Sequence, residues 1–202
     1  PLSWQKPKKV FVNSMSDLFH ENLSDDQIDR VFAVMAVASR HQFQVLTKRP
    51  ARMREYIRGL GDYGGSGRGF QRLQAAAQQV GWSLEWDTGS RKIPLVRWPI
   101  PNIWLGVSVE DQARAEERIP LLLDTPAAVR WISAEPLLSP IDFRFFTFDM
   151  AIKGIKPGLD WVVVGGESGR DHRAMSLTWL DGIAAQCKAA GGPLWVKQDS
   201  GA

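Results

Sequence analysis

The chain has a single cysteine, Cys187, among 202 residues. One thiol excludes an internal disulfide framework and fits a reducing compartment. No run approaches the roughly 18 to 20 apolar residues that a membrane span needs. Residues 1–9, PLSWQKPKK, lack the apolar stretch of a secretory leader. The cytoplasm is therefore the expected location, and no membrane is expected as a partner. The three histidines, His20, His41 and His172, have no metal-ligand spacing, so no metal site is expected from them. The sequence contains no GxSxG nucleophile motif and no internal repeat at a fixed period.

What is present is an ordinary globular composition, 44% hydrophobic and 23% charged, on a chain long enough to bury a core without staples. Lys plus Arg is 25 against 22 acids, a net charge of +3. So small an excess is a faint electrostatic footprint for nucleic acid. The sequence opens on Pro1 without an initiator Met, and a processed, trimmed or incomplete polypeptide is expected.

Short apolar runs alternate with helical patterns. KVFVNS (9–14), FQVLTK (43–48), IWLGVSV (103–109), AVRWIS (128–133), WVVVGG (161–166) and PLWVKQ (193–198) are nearly continuous in hydrophobicity, as strands covered on both faces are. Ser24 with Gln27 three residues on predicts a capping box, ahead of a helix with the stripe Ile28, Val31, Phe32 and Met35. Pro50 opens a second helix through Ile57. A third runs from Asp111 to about Arg118 and is expected to end or kink near Pro120. The last, Ser176 to Ala190, would bury Leu180, Ile183, Ala184 and Cys187 and stop at Gly191-Gly192. Strand–helix–strand units predict parallel strands with right-handed crossovers. The fold class is α/β: a parallel (β/α) barrel or partial TIM-type barrel first, an open doubly wound sheet second. One domain, 1–202, is expected, interrupted by a Gly/Pro-rich insertion or lid at about 59–102. The segment 139–160, with four Phe between Phe143 and Phe148, is expected to pack over an edge or a partner.

Three strands finish alike, WLGVSVE, WISAE and WVVVGGE. Side chains two apart on a strand share a face. That places Ser108 with Glu110, Ser133 with Glu135 and Gly165 with Glu167, above Trp104, Trp131 and Trp161. Trp195 and Lys197 repeat the arrangement with a cation, and Lys48 ends the second strand. In a barrel the indoles would floor the lumen and the charged residues would ring the C-terminal mouth, where barrel enzymes work. Lys48, Glu135, Glu167 and Lys197 are the candidate catalytic residues. Each also has a plainer reading, as a salt-bridge partner or helix cap. GGESG (165–169) is a weak phosphate-loop candidate, being neither GxGxxG nor a Walker sequence, and Asp171, His172 and Arg173 follow it. Cys187 falls on a buried helix stripe and reads as an inert core thiol.

VFVNSMSDLFHE, FQVLTKRPARM, NIWLGVSVEDQ, RWISAEPLL and DWVVVGGESG, in this order, resemble a bacteriophage-associated bacterial family of uncharacterised function. Members of that family are described as phage proteins with a barrel like that of radical S-adenosylmethionine enzymes. The resemblance implies S-adenosylmethionine and a four-iron four-sulfur cluster as cofactors, with three clustered cysteines on a strand and loop upstream. This chain carries none of them, so the likeness implies a barrel lacking its first strand, completed by an N-terminal segment, and inactive alone. By strand position, Asn13, Ser14 and Asp17 would face the methionyl end of the cofactor. Ser108, Glu110, Ser133, Glu135, Gly165, Gly166 and Glu167 would line its ribose, its adenine or the substrate.

Two alternatives stand beside that expectation. One is a barrel enzyme using the mouth carboxylates and lysines, for example through a divalent cation. The other is a phage-linked nucleic-acid-binding module built on Arg68, Arg72, Arg91, Lys92 and Arg97, with Trp82, Trp86 and Trp98 stacking on bases. The substrate is unknown from sequence.

Overall fold

The computed structural model describes residues 1–60, 67–87, 92–94, 98–143 and 158–200, with the backbone alone at 86, 87 and 92–94. Among these residues the strands are β1 (Lys9–Val12), β2 (Gln42–Thr47), β3 (Glu85–Asp87), β4 (Lys92–Pro94), β5 (Ile103–Ser108), β6 (Val129–Ala134), β7 (Trp161–Val164) and β8 (Leu194–Val196). The helices are α1 (Asp25–Val37), α2 (Pro50–Gly59), α3 (Arg68–Gln79), α4 (Gln112–Leu123) and α5 (Leu177–Ala190).

Six strands form one sheet in the order β1-β2-β5-β6-β7-β8, all parallel. The order follows the chain without reversal, which is the order of half a (β/α) barrel. A doubly wound sheet would reverse at a switch point, so the second expectation is not met. The expected strands all occur, each within about two residues of its expected ends. What the sequence did not signal is the antiparallel hairpin β3–β4 inside the insertion. Its strands have three residues each, too few for a period-2 pattern to stand out.

Contacts group the chain into two compact units, Pro1–Leu105 with Thr125–Ala128, and Gly106–Asp124 with Val129–Ala202. In the first, α1 begins with the expected capping box: the Ser24 hydroxyl accepts from the Gln27 N–H, and the Gln27 side chain accepts from the Ser24 N–H. Ile28, Phe32 and Met35 are buried as the stripe requires, with Val31 half-buried. Phe32, Phe19 and Tyr56 pack as a tilted aromatic cluster with centroids 5.2–6.4 Å apart. The insertion helix α3 is held to α1 through Arg72, whose guanidinium makes two 2.9 Å bonds to the carboxylate of buried Asp29. Tyr56 Oη donates to the same carboxylate at 2.7 Å. Burial, and then the Asp29 charge, push the Tyr56 phenol far above its usual range.

In the second unit, Asp111 caps α4 by accepting from the Arg114 N–H at 2.7 Å. The helix continues through Pro120 to Leu123, past the expected stop. Pro120 lacks its own N–H, but its carbonyl still accepts from Asp124 at 3.0 Å. Helix α5 buries Ile183 and Cys187, leaves Leu180 and Ala184 half-buried, and ends on Gly191 at φ 66°. Only glycine takes that left-handed conformation without strain. Of the Phe-rich segment, 144–157 lie outside the described residues. No described helix is long and apolar enough to cross a membrane.

Candidate functional site

The strand-end residues of the second unit fall into rows. Pairing sets Trp131 opposite Trp161, Ser133 opposite Val163 and Val163 opposite Trp195. The Val109 N–H donates to the Ser133 carbonyl at 2.8 Å, as the Gly165 N–H does to Ala134 and the Lys197 N–H to Val164. By that pattern Ser108 stands opposite Ser133. Reading up the shared face, the first row is Gly106, Trp131 and Trp161. The second is Ser108, Ser133, Val163 and Trp195. The third, just past the strand ends, is Glu110, Glu135, Gly165 and Lys197.

Trp131 is 2% exposed and lies over Gly106, where an added Cβ would come within 2.5 Å of the indole. Its ring meets that of Trp161 at 5.3 Å. These two form the expected indole layer. Trp195 does not join them; it is 60% exposed, on β8, which is the edge strand among the described residues.

The three carboxylates differ in what holds them. Buried Glu110 is paired with Arg118 at 3.1 Å, and the same guanidinium donates to the Ser108 carbonyl at 2.8 Å. Glu167 receives two bonds from the Arg173 guanidinium, at 2.7 and 2.8 Å, and one from the Arg173 N–H at 2.8 Å. Arg173 thereby pulls the Glu167 carboxyl down to about 2. Glu135 instead accepts from Lys197 Nζ at 2.7 Å. Its Oε2 has no hydrogen-bond partner among the described residues.

Glu135 and Lys197 stand on strands two apart, about 9.5 Å at ordinary strand spacing. Gly165 lies between them. A Cβ there would sit 3.3 Å from the Glu135 side chain, so the missing side chain leaves the lane in which the two meet. Gly166 is crowded differently: a Cβ would lie 2.4 Å from the Ser200 nitrogen. Its N–H donates to Gln198, and the Gly165 N–H to Ala134. Both glycines spend their N–H groups on neighbouring chain, so this pair of amides does not form the phosphate cradle considered above. His172 Nδ1 lies 2.9 Å from the Gly169 carbonyl.

The other predicted residues gather in the first unit. Asp17 accepts from the Phe19 N–H at 2.9 Å, Thr47 Oγ1 at 2.7 Å, the Lys48 N–H at 3.1 Å and Arg49 Nη1 at 3.1 Å. Burial pushes its carboxyl up, but these donors outweigh burial and hold it below the usual carboxylate value. Arg49 also binds Glu21 at 2.8 Å. Asp17 thus ties the end of β1 to the end of β2. Asn13 adopts φ 64°, which Asn tolerates better than most residues. Ser14 and the Lys48 side chain are exposed.

Arg118 and Arg49 were missed from sequence, and Arg173 was noted only as a polar residue after GGESG, without its pairing to Glu167. Each lies six to thirty-two residues from the carboxylate it holds, with no helical or strand spacing to announce the pair. Of the basic residues proposed for nucleic acid, Arg72 is spent on Asp29. Arg68 and Trp82 are exposed, Trp98 is half-buried, and the Trp86 and Lys92 side chains, like Arg91 and Arg97, lie outside the described residues. The second unit also has a largely apolar groove of about 700 Å³ along α5, lined by Phe143, Val162, Trp179 and Cys187 among others. Burial pushes the Cys187 thiol up, away from nucleophile chemistry.

A family model described as a protein of unknown function, DUF5131, matches residues 1–201. The chain belongs to the DUF5131 family. No curated protein and no solved structure matches this DUF5131 chain.

Proposed function

We propose that this DUF5131 chain is an enzyme domain working at the C-terminal ends of β6, β7 and β8, with Glu135 and Lys197 as a proton-transferring pair. The observation that carries this is the 2.7 Å contact made across Gly165. Glu110 and Glu167 are held by guanidiniums, which do not give up a proton. Glu135 is held by an amine that can. Glu135 would take a proton from a substrate C–H or O–H, and the Lys197 ammonium would return one where negative charge develops. A mixed metabolite pool followed by mass spectrometry tests this, with Glu135→Gln and Lys197→Met beside the wild type. General acid–base groups contribute about 10² to 10⁴ in rate. Turnover that either variant leaves within about tenfold of wild type, or no turnover at all, refutes it.

A second reading, a radical S-adenosylmethionine-like barrel, is supported by the sequential parallel strand order and by the strand-end motifs at Asn13, Ser108, Ser133 and Gly165. Cluster ligation takes several neighbouring thiolates. The sequence holds Cys187 alone, buried on α5, so these residues do not fit the cluster. Asp17 is also occupied by its four donors. Titrating S-adenosylmethionine into wild type and Ser133→Ala by calorimetry tests the remaining part. Absence of heat rejects it. The divalent-cation variant has less support: no group of three or more His, Cys, Asp or Glu that could hold a metal occurs among the described residues.

A further inference from the structure

Ser108 and Ser133 are each 4% exposed. Neither hydroxyl has a hydrogen-bond partner among the described residues, and neither is among the polar atoms sealed from solvent. Buried hydroxyls are ordinarily satisfied. Two in register on neighbouring strands, both unpaired and both reached by solvent, point to a partner supplied from outside. The row above them offers Glu135 Oε2 as an acceptor and the remaining N–H groups of Lys197 as donors. At the far end of the serine row, two strands from Ser133, Trp195 presents an exposed indole.

The charges at this edge cancel, Glu110 against Arg118 and Glu135 against Lys197. A net charge on the ligand would therefore gain little. Hydroxyls that donate and accept at once match groups that do the same, and an indole face suits a ring with apolar C–H on one side. We infer that rows two and three form a binding site for a polyhydroxylated ring, a sugar or the sugar part of a larger molecule. The ring lies on Trp195, with its hydroxyls shared among Ser133, Ser108, Glu135 and Lys197. This site presupposes the Glu135–Lys197 function proposed above and names the substrate class on which that pair acts.

Saturation-transfer NMR with D-glucose, D-ribose and uridine, each up to about 50 mM, tests the inference; such small ligands bind in the millimolar range. Saturation of the ring protons is expected in the wild type, weakened about tenfold or more in Trp195→Ala and in Ser133→Ala. Trp195 is exposed, so its removal leaves the fold intact, and unfolding curves verify this. Ribose binding as well as uridine assigns a free sugar, and uridine binding alone assigns a sugar carried on a base. No saturation with any probe, or equal saturation in both variants and the wild type, overturns the polyol site. If Glu135→Gln still abolishes turnover of some other metabolite in that case, only the substrate class has failed. If sugars bind as expected and nothing is turned over, the proton-transfer function has failed and the binding site stands.

Discussion

Gly106→Ala tests the row geometry directly. The new Cβ would lie 2.5 Å from Trp131 Cε2, 2.6 Å from Nε1 and 2.7 Å from Cδ2. Comfortable carbon contacts are about 3.5 to 4.0 Å, so the indole must move by about 1 Å. It has little room, being 2% exposed with the Trp161 ring at 5.3 Å. Overpacking of this kind costs about 1–3 kcal/mol. Alanine returns about 0.4–1 kcal/mol by restricting the unfolded chain. With overpacking at the middle of that range, about 2 kcal/mol, the net is about 1–1.6 kcal/mol of destabilisation, or about 2–6 °C in Tm for a domain of this size. Thermal unfolding followed by circular dichroism measures it. In a Trp131→Val background the clashing ring is gone, and the same alanine should cost about 1 kcal/mol less. An unchanged or raised Tm for Gly106→Ala, or strict additivity in the double variant, would refute the register of β5 on β6.

Arg173→Ala should let the Glu167 carboxyl rise from about 2 toward the ordinary value of about 4.3, seen by carbon-13 NMR titration; a value still near 2 would mean that Arg173 is not the cause. Arg72→Met leaves buried Asp29 with Tyr56 as its remaining hydrogen-bonded side chain among the described residues and should cost about 2 kcal/mol, a third-exposed guanidinium being worth less than a fully buried one; denaturant unfolding reads it. Asp17 has a folded-state value below its unfolded one, so its contribution is fully present above the unfolded value of about 3.9 and is lost as pH falls through the lower folded value. Thr47→Val removes one donor and should shift that acid loss to higher pH, while an unaltered acid-unfolding midpoint would show that Thr47 Oγ1 does not hold the carboxylate.

Elements whose pattern repeats were legible. The central strands β5, β6 and β7 announced themselves because strands buried on both faces must be nearly all apolar, whereas β1 and β8, equally apolar in sequence, are largely exposed; α1 announced itself because Ser24 and Gln27 cap it within a few residues. Of the two outcomes expected at Pro120, an end or a kink, the end does not occur: the helix continues to Leu123. The shared face of Ser133, Glu135, Gly165 and Lys197 was legible because alternation fixes faces. Which strand sits beside which is not written in alternation, so Trp195 was expected in a floor and stands at an edge. Nor were the guanidinium partners of Glu110 and Glu167 legible, since Arg118 comes from helix α4 and Arg173 from a loop, neither at a spacing that alternation fixes. Those partners separate two carboxylates that are held fast from the one held by an amine.

Lys197 follows a strand of three residues at the margin of the sheet, stitched through its own N–H to Val164. Margins open more often than centres, and they do so without the whole fold coming apart. The Glu135 contact should therefore make and break on the time course of that fraying, independently of global stability. Hydrogen exchange at the Lys197 amide would then run ahead of exchange at Val163 and Val164, and the rate at which an acylating reagent finds the Lys197 amine would follow the former. Any substrate that docks against both ends of the pair would slow that clock, which makes exchange at one amide a reporter of occupancy before any product is known.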